Sequence, residues 1–162
     1  MERKATYRLL MMIVWLTAVL TGRAAVVGEE SMGRLTLADG LSGETVYSVM
    51  TDHSGLKWIA TNSGVTVYLG YRLHSFPICG EGGRPLEVYD LCEVKGRQIY
   101  AATAEGVYRI SYASGAFERV LPEVKTPQSL LAVGDTLYIG SEQGLHFYDG
   151  RQLHHVDVSP SG

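Results

Sequence analysis

The segment KWIATNSGVTVY, residues 57–68, decides the fold of this chain. It places a large aromatic residue six positions before a glycine, a small hydroxyl residue three before it and an aliphatic residue one after it. The pattern recurs around two later glycines, at steps of 42 and 38 residues. The aligned residues are Trp58, Thr61, Gly64 and Val65; Tyr100, Thr103, Gly106 and Val107; and Tyr138, Ser141, Gly144 and Leu145. A period near 40 residues is typical of a four-stranded propeller blade.

Four short runs rich in β-branched and aromatic residues make up each unit, and turn residues separate them. The runs are residues 46–50, 57–61, 65–68 and 72–76; then 88–94, 98–103, 107–112 and 116–120; then 130–133, 136–141, 145–148 and 152–156. Half-buried strands favour this composition, and no long 3.6-residue periodicity supports a helical repeat. The sequence predicts an all-β, partial β-propeller of about three four-stranded antiparallel blades, with repeats at about 39–80, 81–122 and 123–157.

Two finer predictions concern the ends of the units. Residues 34–37 resemble residues 72–75 and are predicted to form the outermost strand of a blade. The first strand of the third unit is predicted to be shortened, which would account for the smaller second step. Propellers close with about four to eight blades. Three blades therefore predict association with further propeller blades, either in another chain or in a second copy as a homo-oligomer.

The recurring residues are predicted to be structural. Each glycine is expected to end a three-residue hairpin loop in the left-handed region, where a Cβ atom is unfavourable. Each hydroxyl is expected to make a hydrogen bond within its hairpin. The aromatic residues are expected to pack between blades, because each can bury a large apolar area. Stacking on a carbohydrate is the alternative role for Trp58.

Residues 1–24 are predicted to be a secretory signal peptide, and residues 25–162 the propeller domain. A basic start precedes an uncharged run from Leu9 to Gly22, and small residues then offer a cleavage site. The run is shorter than the roughly 20 apolar residues of a membrane span. The predicted location is periplasmic or secreted, with tethering by an uncleaved N-terminus as the alternative.

Composition argues against several kinds of chemistry. Residues 25–162 contain 10 Lys and Arg against 16 Asp and Glu, and no window is strongly basic, so nucleic acid is not an expected partner. The histidines and acids lack the spacing of a metal site, and no cofactor motif or catalytic constellation is recognisable. Cys79 and Cys92 are expected to be unpaired, with a disulfide bond as the alternative.

The first unit resembles the two-component regulator propeller repeat. The matching residues are Asp39-Gly40-Leu41-Ser42, Val46, Val49, Asp52, Gly55-Leu56, Trp58-Ile59-Ala60-Thr61, Gly64-Val65 and Tyr68. The family usually has Asn at the position of Glu44 and Gly at that of Ala60, a glycine that Gly140 restores in the third unit. The resemblance implies the N-terminal periplasmic sensor region of a hybrid two-component sensor kinase from a polysaccharide-degrading gut bacterium.

This resemblance sets the functional expectation. It implies that the chain is a truncated, non-enzymatic sensor region that senses a glycan, with an oligosaccharide as its ligand. One alternative is an interaction module that assembles with another propeller chain. The other is a fragment of a propeller polysaccharide lyase or hydrolase, which turnover of an oligosaccharide would reveal.

Overall fold

The structure, a computed structural model, describes residues 34–94 and 98–156; the predicted signal peptide lies outside them. The first sheet contains β1 (Val46–Thr51), β2 (Lys57–Thr61), β3 (Gly64–Tyr68) and β4 (Leu73–Phe76). The second contains β5 (Val88–Val94), β6 (Gln98–Thr103), β7 (Gly106–Ser111) and β8 (Ala116–Leu121). The third contains β9 (Pro127–Val133), β10 (Thr136–Ser141), β11 (Gly144–Tyr148) and β12 (Leu153–Val156).

Each sheet is an antiparallel meander in which strands adjacent in sequence are also adjacent in space. This confirms the predicted all-β class with three four-stranded antiparallel blades. Within the described ranges, the only helix is a short 3-10 turn at Leu37–Asp39. No helix in that part of the chain is long and apolar enough to cross a membrane.

The three sheets are stacked face against face. We call the side of each sheet that carries Trp58, Tyr100 or Tyr138 its front face, and the opposite side its back face. The front face of the first sheet packs on the back face of the second, where Ile99 and Ile110 are buried. The front face of the second sheet packs in the same way on the third sheet. Both cores are apolar, so burial of hydrophobic area holds the stack together.

The first strands of the three sheets (β1, β5 and β9), which we call the innermost strands, are linked by hydrogen bonds to one carboxylate. Asp90 lies in β5 and accepts a hydrogen bond from the Ser48 hydroxyl of the first sheet, at 2.7 Å. Its other oxygen accepts from the backbone N–H of Leu130 in the third sheet, at 2.8 Å. The repeat pattern of the sequence gives no sign of this role of Asp90.

The glycine of each β2–β3-type hairpin has positive φ, with values of 117° at Gly64, 132° at Gly106 and 104° at Gly144. The loop itself has two residues, one fewer than predicted, because Thr61 pairs directly with Gly64. The Thr61 hydroxyl donates to the carbonyl of Gly64 and accepts from the N–H of Ser63. Thr103 and Ser141 make the equivalent pairs of bonds. The recurring hydroxyl thus closes each turn.

Residues 34–37 do not form the predicted outer strand. Thr36 instead begins the 3-10 turn, and both its N–H and its hydroxyl donate to the Asp39 carboxylate at 2.8 Å. These hydrogen bonds from Thr36 lower the pKa of Asp39. Gly40 ends the turn in the left-handed region, with φ of 105°. The local capping interactions therefore prevail over the extended conformation that the resemblance to residues 72–75 suggested.

The prediction of a shortened first strand in the third unit is also wrong. Strands β5 and β9 both contain 7 residues. The smaller step instead comes mainly from the connection between sheets, which covers residues 77–87 before β5 but only 122–126 before β9. Ile78 and Leu86 of the longer connection are buried in the first core, whereas Val124 alone fills the corresponding place in the second.

Candidate functional site

A groove with a volume of about 570 Å³ lies at one end of the contact between the first and second sheets. Its walls come from the β1–β2 turn, the end of β5 and the β7–β8 turn. Concave sites that combine apolar surface with a few polar groups are the usual places for small ligands. The groove is therefore the candidate functional site in the described part of the chain.

The β1–β2 turn that forms one wall is organised by Asp52. Its Oδ1 atom accepts hydrogen bonds from the backbone N–H groups of Ser54 and Leu56, at 2.8 and 3.0 Å. Its Oδ2 atom accepts from the indole Nε1 of Trp58 at 2.9 Å. One carboxylate thus fixes both the turn and the orientation of the indole behind it. The sequence analysis placed Asp52 correctly in a turn but did not connect it to Trp58.

His53, at the tip of this turn, holds a glutamate of the second sheet. Its backbone N–H donates to Glu93 Oε2 at 2.7 Å, and its ring Nδ1 contacts Glu93 Oε1. The other ring nitrogen, Nε2, lies 2.9 Å from the Ser54 hydroxyl. The Glu93 carboxylate and the His53 ring are therefore fixed side by side at the groove, across the contact between two sheets.

The opposite wall is aromatic. Tyr112 is 41% exposed and packs edge-on against Trp58 and Phe76, with ring centroids 5.8 and 6.0 Å apart. Phe117 is also partly exposed and lines the same groove. Trp58 itself is only 1% exposed. The exposed rings available to a ligand are thus those of Tyr112 and Phe117, and Trp58 supports Tyr112 from behind.

The other predicted structural residues lie away from the groove. Tyr100 is buried in the core between the second and third sheets. Tyr138 lies on the front face of the third sheet and is half-buried. Neither the hairpin hydroxyls nor the hairpin glycines line the groove. The repeat pattern does not mark the groove, because its polar and exposed aromatic residues, such as His53, Glu93 and Tyr112, fall outside the recurring positions.

A second exposed aromatic pair lies on the innermost strands. Both β1 and β5 contain an irregularity in their pairing at one residue, Tyr47 and Tyr89 respectively. The two rings meet edge to face, with centroids 5.6 Å apart. Burial raises the pKa of Tyr89, helped by the hydrogen bond from its hydroxyl to Glu87. The pair forms a partly exposed patch beside the first strands of two neighbouring sheets.

The histidines and cysteines form no recognisable reactive centre. His154 stacks on Phe147 and His155 approaches His146, so the adjacent histidines point to opposite faces of the sheet. Among residues 34–94 and 98–156, no three His, Cys, Asp or Glu side chains are grouped to hold a metal ion. Cys79 and Cys92 are both free thiols, and burial raises the pKa of Cys92.

Comparisons with known proteins find solved structures with a similar fold. No protein-family model and no curated protein sequence matches the chain. An extracellular domain assigned to the one component system BT4673 from B. thetaiotaomicron is similar, with a TM-score of 0.66 and 21% identity over 76% of this chain and 18% of that chain. A structure of the extracellular domain assigned to the hybrid two component system BT4673 gives a TM-score of 0.56 and 28% identity, covering 70% of this chain and 16% of that one.

A third similar structure is PorZ, a surface component of the type-IX secretion system of Porphyromonas gingivalis. Its TM-score is 0.54, with 22% identity over 67% of this chain and 18% of PorZ. The chain thus spans only 16–18% of the length of these three structures. The likeness shows a shared arrangement of stacked four-stranded sheets in proteins that are much longer.

Proposed function

We propose that this chain is a ligand-sensing, extracytoplasmic part of a two-component regulatory system and that its groove binds an oligosaccharide. The observation that carries the proposal is the pairing of exposed Tyr112 and Phe117 with the fixed His53 and Glu93 side chains. An aromatic ring offers an apolar face to the C–H groups of a sugar, and the carboxylate and imidazole offer hydrogen-bond partners for hydroxyls.

Sequence and fold similarity support the sensing part of the proposal. The first unit carries the two-component regulator propeller motif, including Asp39-Gly40-Leu41-Ser42. The structure that is 28% identical is an extracellular domain assigned to a hybrid two component system. Both point to a location outside the cytoplasm. Ligand binding alone is proposed for this chain, since signal transmission needs differential interactions in two states of a larger sensor.

The electrostatics of the groove favour a neutral ligand. The groove is lined by the carboxylates of Asp52, Glu93 and Glu118 and by one guanidinium, that of Arg109. Arg109 is already paired with Glu118, and Glu93 with His53, so the described groove offers no free cation to an anionic ligand and its excess of carboxylates repels one. Neutral oligosaccharides bind through many hydroxyl groups and apolar ring faces, without a net charge. The ligand class proposed is therefore a neutral glycan rather than a uronate-rich one.

Isothermal titration calorimetry with a panel of soluble neutral and acidic oligosaccharides tests this function. Tyr112→Leu and Glu93→Gln are expected to weaken binding of the preferred sugar by roughly tenfold or more, from lost hydrogen bonds and ring contact. Tyr71→Leu is the matched control, because Tyr71 is 79% exposed and does not line the groove.

Two outcomes would contradict the proposal. If no oligosaccharide binds to a folded chain, the glycan ligand is wrong. If one binds and the two groove variants behave like Tyr71→Leu, the ligand site lies elsewhere. Chromatography of the sugar after incubation also separates sensing from catalysis, because a lyase or hydrolase fragment would convert it to shorter products.

A further inference from the structure

The front face of the third sheet is an apolar surface that no other part of the described chain covers. Leu131 and Val133 on β9 are 61% and 57% exposed, and Leu145 on β11 is 39% exposed. The half-buried Tyr138 and Phe147 lie between them, with ring centroids 6.1 Å apart. Contiguous exposed apolar area of this kind marks an interaction surface.

In the other two sheets, the front face forms a hydrophobic core with the next sheet. Register places Leu131, Tyr138, Phe147 and His154 at the positions of Met50, Trp58, Val67 and His74 in the first sheet. In the first sheet these positions surround the core against the second sheet, and Trp58 and Val67 are buried there. The front face of the third sheet thus has the composition of a sheet-packing surface with no sheet packed on it in the described chain.

The back face of the first sheet is a poor partner for it. Register places Lys57 where the second and third sheets have Ile99 and Leu137, which are 4% and 1% exposed against their neighbours. Thr66, on the same back face, hydrogen-bonds with Ser42 and Ser75. Packing another sheet here would remove the Lys57 ammonium from water.

Two copies could stack head to tail, with the third sheet of one on the first sheet of the other, or front to front, with their third sheets facing each other. The charges on these faces distinguish the two arrangements. Strand residues on the front face of the third sheet include no Asp, Glu, Lys or Arg; they are Ser129, Leu131, Val133, Thr136, Tyr138, Gly140, Leu145, Phe147, His154 and Val156. Head-to-tail stacking would bury Lys57 against this uncharged face without a carboxylate, which is unfavourable. Stacking front to front buries no such charge.

We propose that the front face of the third sheet is the interface of a symmetric homodimer. Two copies meet front to front about a two-fold axis, so that Leu131, Val133 and Tyr138 of each chain pack on the equivalent surface of the other. A two-fold interface uses the same patch twice and closes on itself. Two twisted sheets with apolar inner faces pack in this way in β-sandwiches, with strands near −30°. A closed ring of six sheets, in which the third sheet of each copy would pack on the first sheet of the other, is not the expected assembly.

Light scattering coupled to size exclusion, run over a range of concentrations, tests the dimer. The protein is purified after export from the expression host and is expected to show twice the mass of one copy. One copy of the full 162-residue chain has a mass of 17.7 kDa, and a copy without the predicted signal peptide is correspondingly lighter. Leu131→Lys is expected to raise the dimer dissociation constant by about 100-fold or more, because it buries two unpaired charges near the axis. Val133→Lys provides an independent second variant at an exposed position.

Val49→Lys is the matched control, because Val49 is 60% exposed on the back face of the first sheet. It is expected to leave the dimer intact, and circular dichroism checks that all variants fold. A monomeric wild-type chain overturns the proposal and assigns the face to residues 1–33 or to a sheet of another protein. Equal disruption by Val49→Lys and Leu131→Lys also overturns it, in favour of head-to-tail stacking.

Discussion

Trp58 and Tyr138 occupy the same position in the first and third sheets, yet their surroundings differ. Trp58 is 1% exposed, with its indole bonded to Asp52 and its ring packed between Phe76 and Tyr112. Tyr138 is half-buried on a face that carries exposed Leu131. The repeat sets which residue points forward from each sheet. Whether that residue belongs to a core depends on the next sheet.

The two ends of the stack differ in the same manner. The back face of the first sheet carries Lys57 and a hydroxyl network around Thr66 beside the exposed Val49, so it is the more polar of the two end faces. The front face of the third sheet carries aliphatic and aromatic residues. A polar terminal face is how repeat proteins end a stack, and an apolar one invites a partner. The stack is thus directional, and only one end is adapted to bind another sheet.

The largest expected effect comes from truncating the buried member of the aromatic pair. Trp58→Ala is expected to lower the free energy of unfolding by about 3–5 kcal/mol, because it leaves a cavity between the first and second sheets. Tyr138→Ala is expected to cost less in the monomer, about 2 kcal/mol, because its ring is only partly buried and no other sheet of the described chain packs on it. Urea denaturation at low protein concentration measures both. Equal losses would show that the two positions are equivalently packed.

The hairpin glycines offer a second comparison. A Cβ on Gly64 would lie 2.6 Å from the Phe76 carbonyl oxygen, whereas one on Gly144 would meet only the His155 ring at 3.4 Å. Both positions have positive φ, so Gly144→Ala is expected to cost about 1–2 kcal/mol from backbone strain. Gly64→Ala is expected to cost about 3 kcal/mol or more, since the backbone must also move. Thermal unfolding of both variants tests this order, which the reverse ranking would refute.

A third comparison sets Asp90, which links the sheets, against the equivalent position on the uncovered front face of the third sheet. Asp90→Ala leaves the Leu130 N–H and the Ser48 hydroxyl without their acceptor, and is expected to cost about 2 kcal/mol. Ser129→Ala is the control, because register puts Ser129 at the same position on the exposed front face. Its expected cost is below about 0.5 kcal/mol. A comparable loss in both variants, measured by urea denaturation, would mean that Asp90 does not link the sheets.

The smallest expected effect is a pH dependence at the contact between the second and third sheets. Burial, and secondarily His155, lower the pKa of His146. Its folded-state pKa lies below the unfolded value, so the unfolded chain binds more protons, and stability falls as the pH drops below the unfolded pKa of about 6.5. His146→Gln is expected to lose less stability than wild type between pH 7 and pH 5 in urea titrations. Identical pH profiles would remove His146 as the cause.

Much of the fold could be predicted from residues that act locally. The spacing of Trp58, Thr61 and Gly64 depends on one hairpin, so it is visible in a single sequence and again in the later units. Two details, the strand at residues 34–37 and the length of β9, were mispredicted. Thr36 and Asp39 form a capping box where the resemblance to residues 72–75 suggested a strand. The length of β9 was hidden because Pro127 and Gln128 do not look like strand residues.

The groove was harder to predict, since its residues are brought together by the stacking of two sheets. His53 and Glu93 are 40 positions apart and lie in different sheets, so nothing in their spacing indicates contact. Tyr112 lies at the end of a predicted strand, and its packing against Trp58 requires both sheets to be in place. The role of Asp90 was hidden for the same reason, because its hydrogen bonds reach Ser48 and Leu130 in the two other sheets.

The amino-acid sequence by itself determined the all-β class, the number of sheets and the residues that close each hairpin. These features follow from alternation, turn chemistry and a 40-residue period, all of which act within one unit. Only the tertiary structure decided which aromatic residues are buried, where the groove opens and which end of the stack is apolar. Burial and charge pairing depend on what lies opposite each face, and the sheets that supply Trp58 and Ile99 meet only in the folded chain.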